Sequence, residues 1–247
     1  MIQLKNSAQI SAMIEAGRIT GEALLVARER VREGVSTKEL DTAIREYIEK
    51  CGAKPSFLGY SGFPASACIS VNEMVVHGIP GDRILKDGDI VSVDVVVDKK
   101  HYHGDACRTF CIGAVAPEVK QLVKVTEECF FKSIEGLRAG SALYDIGYAV
   151  QQHAEAHGYG VIRSYTGHGI GREMHEDPSV PNYGKKGTGL RLRAGTVLCI
   201  EPMIALGDWR VRLLKDGWGA VTVDGKPAAH YENTIVIRED GVEILTL

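Results

Sequence analysis

One short stretch constrains this chain more than any other. Ile90-Val91-Ser92-Val93-Asp94-Val95-Val96-Val97 reads as a β-strand from its β-branched residues, yet it carries an acid at its centre. Burying an ionised carboxylate in such a run is costly unless the charge finds a partner, so any fold available to the chain must bring one to Asp94. A second acid, Asp105, begins the next strand-like segment, Gly104-Asp105-Ala106-Cys107-Arg108-Thr109-Phe110. A hairpin with Lys99-Lys100 at its tip would set the two aspartates directly opposite each other, with Cβ atoms about 4.5 to 5.5 Å apart. Two like charges at that spacing repel unless something cationic lies between them, and a divalent metal is the natural candidate. One protonated acid, or an Asp paired with Arg108 or Arg83, is the blander reading of the same residues.

The surrounding chain reads as helices alternating with strands. Apolar residues at Ile10, Ile14, Ile19, Leu24, Leu25 and Val31 recur near a helical period between Ser7 and Arg32, with Gly34 as the stop. Ser36 and Glu39 form a capping-box pattern for a second helix that runs to Gly52. Strands are expected at 67–71, 90–97 and 105–112, and Pro117-Glu118 open a third helix to about Leu137. A fourth helix, 142–157, precedes short strands near 196–200, 218–223 and 231–237. Both halves place helices before strands, which hints at two related α/β units. No linker or low-complexity segment divides the 247 residues, so one domain spanning 1–247 is expected.

Charge and cysteine content narrow the function classes. With 29 Lys+Arg against 32 Asp+Glu, the formal charge of -3 argues against a general polyanion binder, and no DNA partner is expected. No apolar run approaches the roughly 20 residues that span a bilayer, and no apolar leader is seen, so a soluble, cytoplasmic protein is expected. The six cysteines form no CxxC pair and read as buried, reduced thiols rather than a zinc knuckle.

More metal ligands are available in the second half. Thr166-Gly167-His168-Gly169-Ile170-Gly171 sets a histidine on what reads as a glycine loop. Glu201 in Cys199-Ile200-Glu201-Pro202-Met203 and Glu232 in Tyr231-Glu232-Asn233-Thr234 sit in or beside strand-like sequence, where each alone would be an ordinary strand-end acid. Jointly, Asp94, Asp105, His168, Glu201 and Glu232 make an oxygen-rich set with one imidazole. Such a set suits hard or borderline divalent ions in an open, catalytic site and not a closed structural zinc site. Among the 28 glycines, those beside His77, Asp105 and His168 are expected where the chain must approach metal or substrate.

At these residues the chain resembles the type I, bacterial-like methionine aminopeptidases. The likeness rests on Cys68-Ile69-Ser70-Val71-Asn72-Glu73, Val76-His77-Gly78-Ile79-Pro80, Ser92-Val93-Asp94-Val95 and Gly104-Asp105 in the first half. In the second half it rests on the glycine segment with Met174-His175-Glu176-Asp177-Pro178, and on Ile200-Glu201-Pro202-Met203 and Tyr231-Glu232-Asn233-Thr234. It covers nearly the whole chain. It implies an α/β (α+β) pita-bread fold, two pseudo-symmetric halves with a curved antiparallel sheet covered by helices, around two divalent metal ions, Co, Mn, Fe or Zn.

The resemblance also assigns roles. Asp94 would hold one ion, His168 and Glu201 the other, with Asp105 and Glu232 bridging. His77 and His175 would contact the substrate amide and the developing oxyanion, and Glu201 would carry a proton from the attacking hydroxide to the leaving amine. Tyr60, Phe63, Cys68, Met174 and Trp218 would line an apolar slot suited to a thioether side chain. Relatives often carry Tyr and Phe at the positions of Phe63 and Met174, and Met174 is the softer replacement. The implied reaction is removal of N-terminal methionine from peptides or nascent chains, with a small second residue preferred, by a monomer.

Other patterns read as decoys. His153-Ala154-Glu155-Ala156-His157 places two histidines at i, i+4, but its Glu is misplaced for HExxH, so it reads as a solvated helix face. His101 and His103 flank the hairpin tip and read as exposed. Lys185, Lys186, Arg191 and Arg193 form a basic loop whose plain reading is a solvated face; its alternative is transient contact with the ribosome. Two rival functions are a proline-directed peptidase, which normally has a large preceding domain, and a non-catalytic module that has lost its ligands.

Overall fold

In a computed structural model, which describes residues 2–246, the chain folds through four helices and fifteen strands. The first half contains α1 (Ser7–Arg30), α2 (Thr37–Lys50), β1 (Lys54–Pro55), β2 (Cys68–Val71), β3 (Met74–Val76), β4 (Ile90–Lys99) and β5 (Tyr102–Cys111). The second contains α3 (Pro117–Ile134), α4 (Leu143–Ala156), β6 (Gly160–Val161), β7 (Gly167–Gly169), β8 (Glu176–Val180), β9 (Val197–Ile200) and β10 (Met203–Ala205). It closes with β11 (Val211–Leu213), β12 (Ala220–Thr222), β13 (Ala228–His230), β14 (Glu232–Ile237) and β15 (Val242–Ile244).

Local signals account for the helix ends. Asn6 and Gln9 close a capping box on α1, and Ser36 and Glu39 close the expected one on α2. Helix α1 stops at Arg30, two residues short of the expected end, where Val31 turns extended. Pro117 starts α3, which stops at Ile134 and not at Leu137.

The main sheet is antiparallel and runs β1-β4-β5-β14-β9-β7-β8, with β2 also on β4 and β15 on β14. Alternation along β4 explains the apparent contradiction of an acid in an apolar strand. Val91, Val93, Val95 and Val97 join the core formed with Ile19, Leu40 and Ile44 of α1 and α2, so Asp94 and Val96 point to the opposite face. In the second half, Phe130 and Ile146 of α3 and α4 pack on Leu198 and Ile235 in the same manner. Each half thus lays a helix pair against the common sheet, the α/β architecture expected.

Three expectations need correction here. The hairpin turns at Lys100-His101, both with positive φ (55° and 64°), and Lys99 pairs with Tyr102. That two-residue turn shifts the register by two: Asp94 opposes Cys107 and Asp105 opposes Val96, so the aspartates are diagonal neighbours on one face, not a direct pair. The glycines near the site make room for backbone. A Cβ on Gly104 would lie 2.7 Å from Gly17 Cα in α1, and one on Gly78 would lie 2.2 Å from Ile69 O. The cysteines are all free, but Cys111 is exposed and Cys51 only half-buried.

Candidate active site

Strand register collects the five candidate ligands. Asp94 opposes Cys107, which opposes Glu232 on β14; His168 opposes Cys199, which opposes Thr234 two residues along β14. Opposed residues share a face, and so do residues two apart on one strand. Asp94, Asp105, Glu232 and His168 therefore emerge from one face of the sheet, and Glu201 follows two residues after Cys199 as β9 ends. Cys68 opposes Asp94 on β2 and extends the same face toward the apolar slot.

His168 lies on a strand and not on the glycine loop its sequence suggested. Its neighbours are glycines because the strands close in: a Cβ on Gly167 would meet Cys199 O at 2.3 Å, and one on Gly169 would meet Asp177 O at 2.1 Å. Thr234 ties Asp105 across the sheet, its Oγ1 accepting from Asp105 N–H and donating to Asp105 O, each at 2.9 Å.

The cluster is rich in buried carboxylate oxygens that no side chain pairs. Asp94, Asp105 and Glu232 are buried, and Asp94 Oδ1, Asp105 Oδ1 and Glu232 Oε1 have no hydrogen-bond partner. Burial pushes the Asp94 carboxyl up to about 7. Burial, then the charges of Glu232 and Asp94, pushes Asp105 well above the carboxylate range. Burial and neighbouring acids raise Glu201 and Glu232 likewise. Arg108, the alternative partner for Asp94, donates instead to Glu232 O and to Asn233 Oδ1. Arg83 faces Asp89 at 3.9 Å.

The histidine geometry fits divalent ions. His168 Nδ1 is 2.9 Å from Gly169 O, which places its proton there and leaves Nε2 as a lone pair directed at the acids. That Nε2 is 3.7 Å from Asp105 Oδ2 and 3.6 Å from Glu201 Oε1, near the roughly 3.4 Å between two ligands of one tetrahedral ion. Burial first, then His175, pushes the His168 imidazole down to about 3, so it stays neutral and able to ligate.

Two further groups adjoin the cluster that sequence reasoning passed over. Cys199 Sγ lies with Asp105, His168 and Glu232, all four ligand atoms within 4.8 Å of one another. Burial pushes that thiol well up. His230 is buried, its Nε2 is without a partner, and it lies 3.6 Å from Glu232 Oε2 and 3.9 Å from Glu201 Oε2. The only sequence signal for His230 was its place two residues before Glu232.

Beside the acids opens a slot of about 110 Å³, lined by Phe57, Tyr60, Phe63, Cys68, His77, His175 and Trp218. Six of these were expected; Phe57 was not. Met174 is buried behind the slot, packed with Phe63 and Cys68. The Phe63 and Trp218 rings meet edge-on at 5.1 Å, and His77 stands edge-on to Tyr165 at 5.3 Å. Tyr60 Oη is 2.9 Å from His175 Nδ1, and the His175 ring is 4.3 Å from that of His168. Burial pushes His77 down to about 4 and lowers His175 as well.

The remaining singled-out residues lie elsewhere. Lys185, Lys186, Arg191 and Arg193 are exposed, as is His101, whereas His103 is half-buried with Nδ1 3.2 Å from Gly171 O. His153 is also half-buried, not fully solvated, and its Nε2 is 2.9 Å from Glu128 Oε2. No helix among the described residues is long and apolar enough to cross a membrane.

A sheet face that gathers four acids and a histidine beside an apolar slot defines a metal-dependent hydrolase, and residues 11–239 match metallopeptidase family M24. The chain belongs to that family. Relatives that match it over the full chain include methionine aminopeptidases: that of Clostridium perfringens is 53% identical over 247 residues, covering 100% of this chain and 99% of the relative. Methionine aminopeptidase 1 of Bacillus subtilis is 46% identical over 246 residues, with 100% and 99% covered. Among solved structures, the methionine aminopeptidase of Rickettsia prowazekii superposes with a TM-score of 0.99 at 44% identity, covering 100% of both chains. A prolidase of Pyrococcus furiosus shares the fold, with a TM-score of 0.81 at 22% identity over 99% of this chain and 65% of its own. The chain is thus a hydrolase, a metalloaminopeptidase of the methionine aminopeptidase kind with the pita-bread fold.

Proposed function

We propose that this chain removes N-terminal methionine from peptides and nascent chains, preferring a small second residue, with two divalent ions held by Asp94, Asp105, His168, Glu201 and Glu232. The observation that carries the reading is the juxtaposition of partnerless buried carboxylate oxygens with a slot sized for one side chain. When bound, the ions would polarise the scissile carbonyl and acidify a water at neutral pH. In this reading Asp94 would hold one ion, His168 and Glu201 would hold the other, and Asp105 and Glu232 would help to hold both.

The chain's own groups then do the following. Phe57, Phe63, Cys68 and Trp218 give the methionine side chain an apolar, water-excluding wall, backed by Met174 packed behind Phe63 and Cys68, and its unbranched thioether suits so narrow a slot. His77 and His175 are neutral at pH 7, so each offers one N–H to the peptide as negative charge develops on oxygen. Tyr60 donates its hydroxyl proton to His175 Nδ1, which leaves His175 Nε2–H free to donate. Glu201 passes a proton from the attacking water toward the leaving amine. Residues 1–247 act as one catalytic unit, a monomer in the cytoplasm.

The test is an assay of chelator-stripped protein on Met-Gly and Xaa-Pro peptides with Co, Mn, Fe and Zn added back separately. Methionine release restored by metal, with no cleavage of Xaa-Pro, is expected. Full activity without added metal, or preference for Xaa-Pro, overturns the reading.

A further inference from the structure

The helix pair α3–α4 carries a histidine pattern that the aminopeptidase site does not use. His153 and His157 stand one turn apart on α4, and their rings are 4.8 Å apart between centroids. Glu128 of α3 faces them: its Oε2 is 2.9 Å from His153 Nε2. One ligand atom from each of Glu128, His153 and His157 can be chosen so that all three lie within 4.8 Å of one another. From these side chains we infer that α3 and α4 together hold a second, independent divalent-metal site, of the zinc class, with two imidazoles, one carboxylate and an open fourth position.

Four features of the structure favour an ion here. His157 Nδ1 is 2.9 Å from His153 O, so the ring carries its proton on Nδ1 and presents Nε2 as a free lone pair, as metal-ligating histidines do. Tyr159 stacks on the same ring, 6.3 Å away and inclined by only 17°, which limits its rotation. Both histidines belong to the last turn and C-cap of α4, where the partial negative charge of the free carbonyls favours a cation. His153 Nε2 and Glu128 Oε2 already face each other at 2.9 Å, and an ion entering that line needs the two atoms to part to only about 3.4 Å, taking the place of the proton on Nε2 while the ring's one proton is carried on Nδ1.

Lys124 is the competing cation, with Nζ 3.5 Å from Glu128 Oε1, but both groups are solvent-accessible and the ammonium can swing away. Ligand chemistry separates this site from the sheet face. Two imidazoles and one carboxylate select borderline ions such as zinc, nickel or copper, whereas the sheet face offers mostly oxygen. An ion here would join α3 to α4, the helix pair that covers the second half of the sheet.

The experiment counts zinc. Wild-type protein and the His153→Gln/His157→Gln double variant are dialysed to equilibrium against zinc alone, and bound metal per chain is measured. Wild type should bind one equivalent more than the double variant, while methionine release by the metal-loaded proteins and the melting temperature of the metal-free proteins stay the same in both. Crystals soaked in zinc should show an anomalous peak between Glu128, His153 and His157 in wild type only. Equal stoichiometry in the two proteins, or no anomalous peak at α3–α4, overturns the site. The same difference should persist in an Asp105→Ala background, so failure here is distinguishable from failure of the aminopeptidase reading.

Discussion

The β4–β5 hairpin and the β7–β9–β14 ladder supply the same site by different means. In the hairpin one tight turn brings Asp94 and Asp105 together, and the only uncertainty is register. In the ladder His168, Glu201 and Glu232 come from three segments with no local signal of proximity; pairing between distant strands and a shared face unite them. Local geometry can be guessed to within a residue or two, but long-range gathering depends on the whole sheet closing. Asp105 lies where the two regions meet, bonded to Thr234 of β14 and 3.7 Å from His168.

If the two regions form one centre, removing a ligand from either should be equally damaging. Asp105→Ala and His168→Ala should each lower methionine release from Met-Gly by on the order of 10⁴-fold, the scale for losing one member of an interdependent set. Near wild-type turnover in the His168 variant would show that the hairpin works alone.

A strand-spacing change tests the ladder without touching a candidate ligand. Gly167→Ala drives a methyl into Cys199 O and should destabilise the fold by about 3 kcal/mol, measured as a lowered urea midpoint. An unchanged midpoint in Gly167→Ala would mean that β7 and β9 are not packed as described.

The join itself is probed by Thr234→Val, which keeps the shape but leaves Asp105 N–H without its acceptor. A loss of about 2 kcal/mol is expected, together with weaker metal retention on dialysis. Stability unchanged to within error would separate the two regions energetically.

The smallest effect concerns protons. His77 belongs to the first half, and burial holds its imidazole at about 4, against about 6.5 in the unfolded chain. The unfolded chain therefore binds the extra proton first, so this contribution to stability is complete above about pH 6.5 and is lost as pH falls toward 4. His77→Gln should flatten the decline of the urea midpoint over that window. An identical decline in the variant would place His77 in water rather than in the slot.

How much of this was legible in the chain follows from where each signal resides. The Ser36–Glu39 capping box and the helical period of α2 are local, and so they appear in the sequence at nearly their observed bounds; the Asn6–Gln9 box on α1 was not read from it. An acid within a β-branched run is likewise a local anomaly, and it pointed to the candidate metal site before any fold was known. The hairpin register was not legible, because Lys100-His101 form a tight turn with positive φ at residues that do not announce one. His168 was misplaced onto a loop because glycine weakens a strand signal, although here glycine is what lets β7 approach β9.

The sequence by itself determined the candidates for the chemistry: two aspartates, two glutamates and three histidines in motifs that name a family. Only the tertiary structure decided that Asp94, Asp105, Glu232 and His168 share one sheet face, that Cys199 and His230 adjoin them, and that Glu128 meets His153 across two helices. The physical reason is that residue type travels with the chain. Facing, burial and the absence of a hydrogen-bond partner exist only once distant strands have paired.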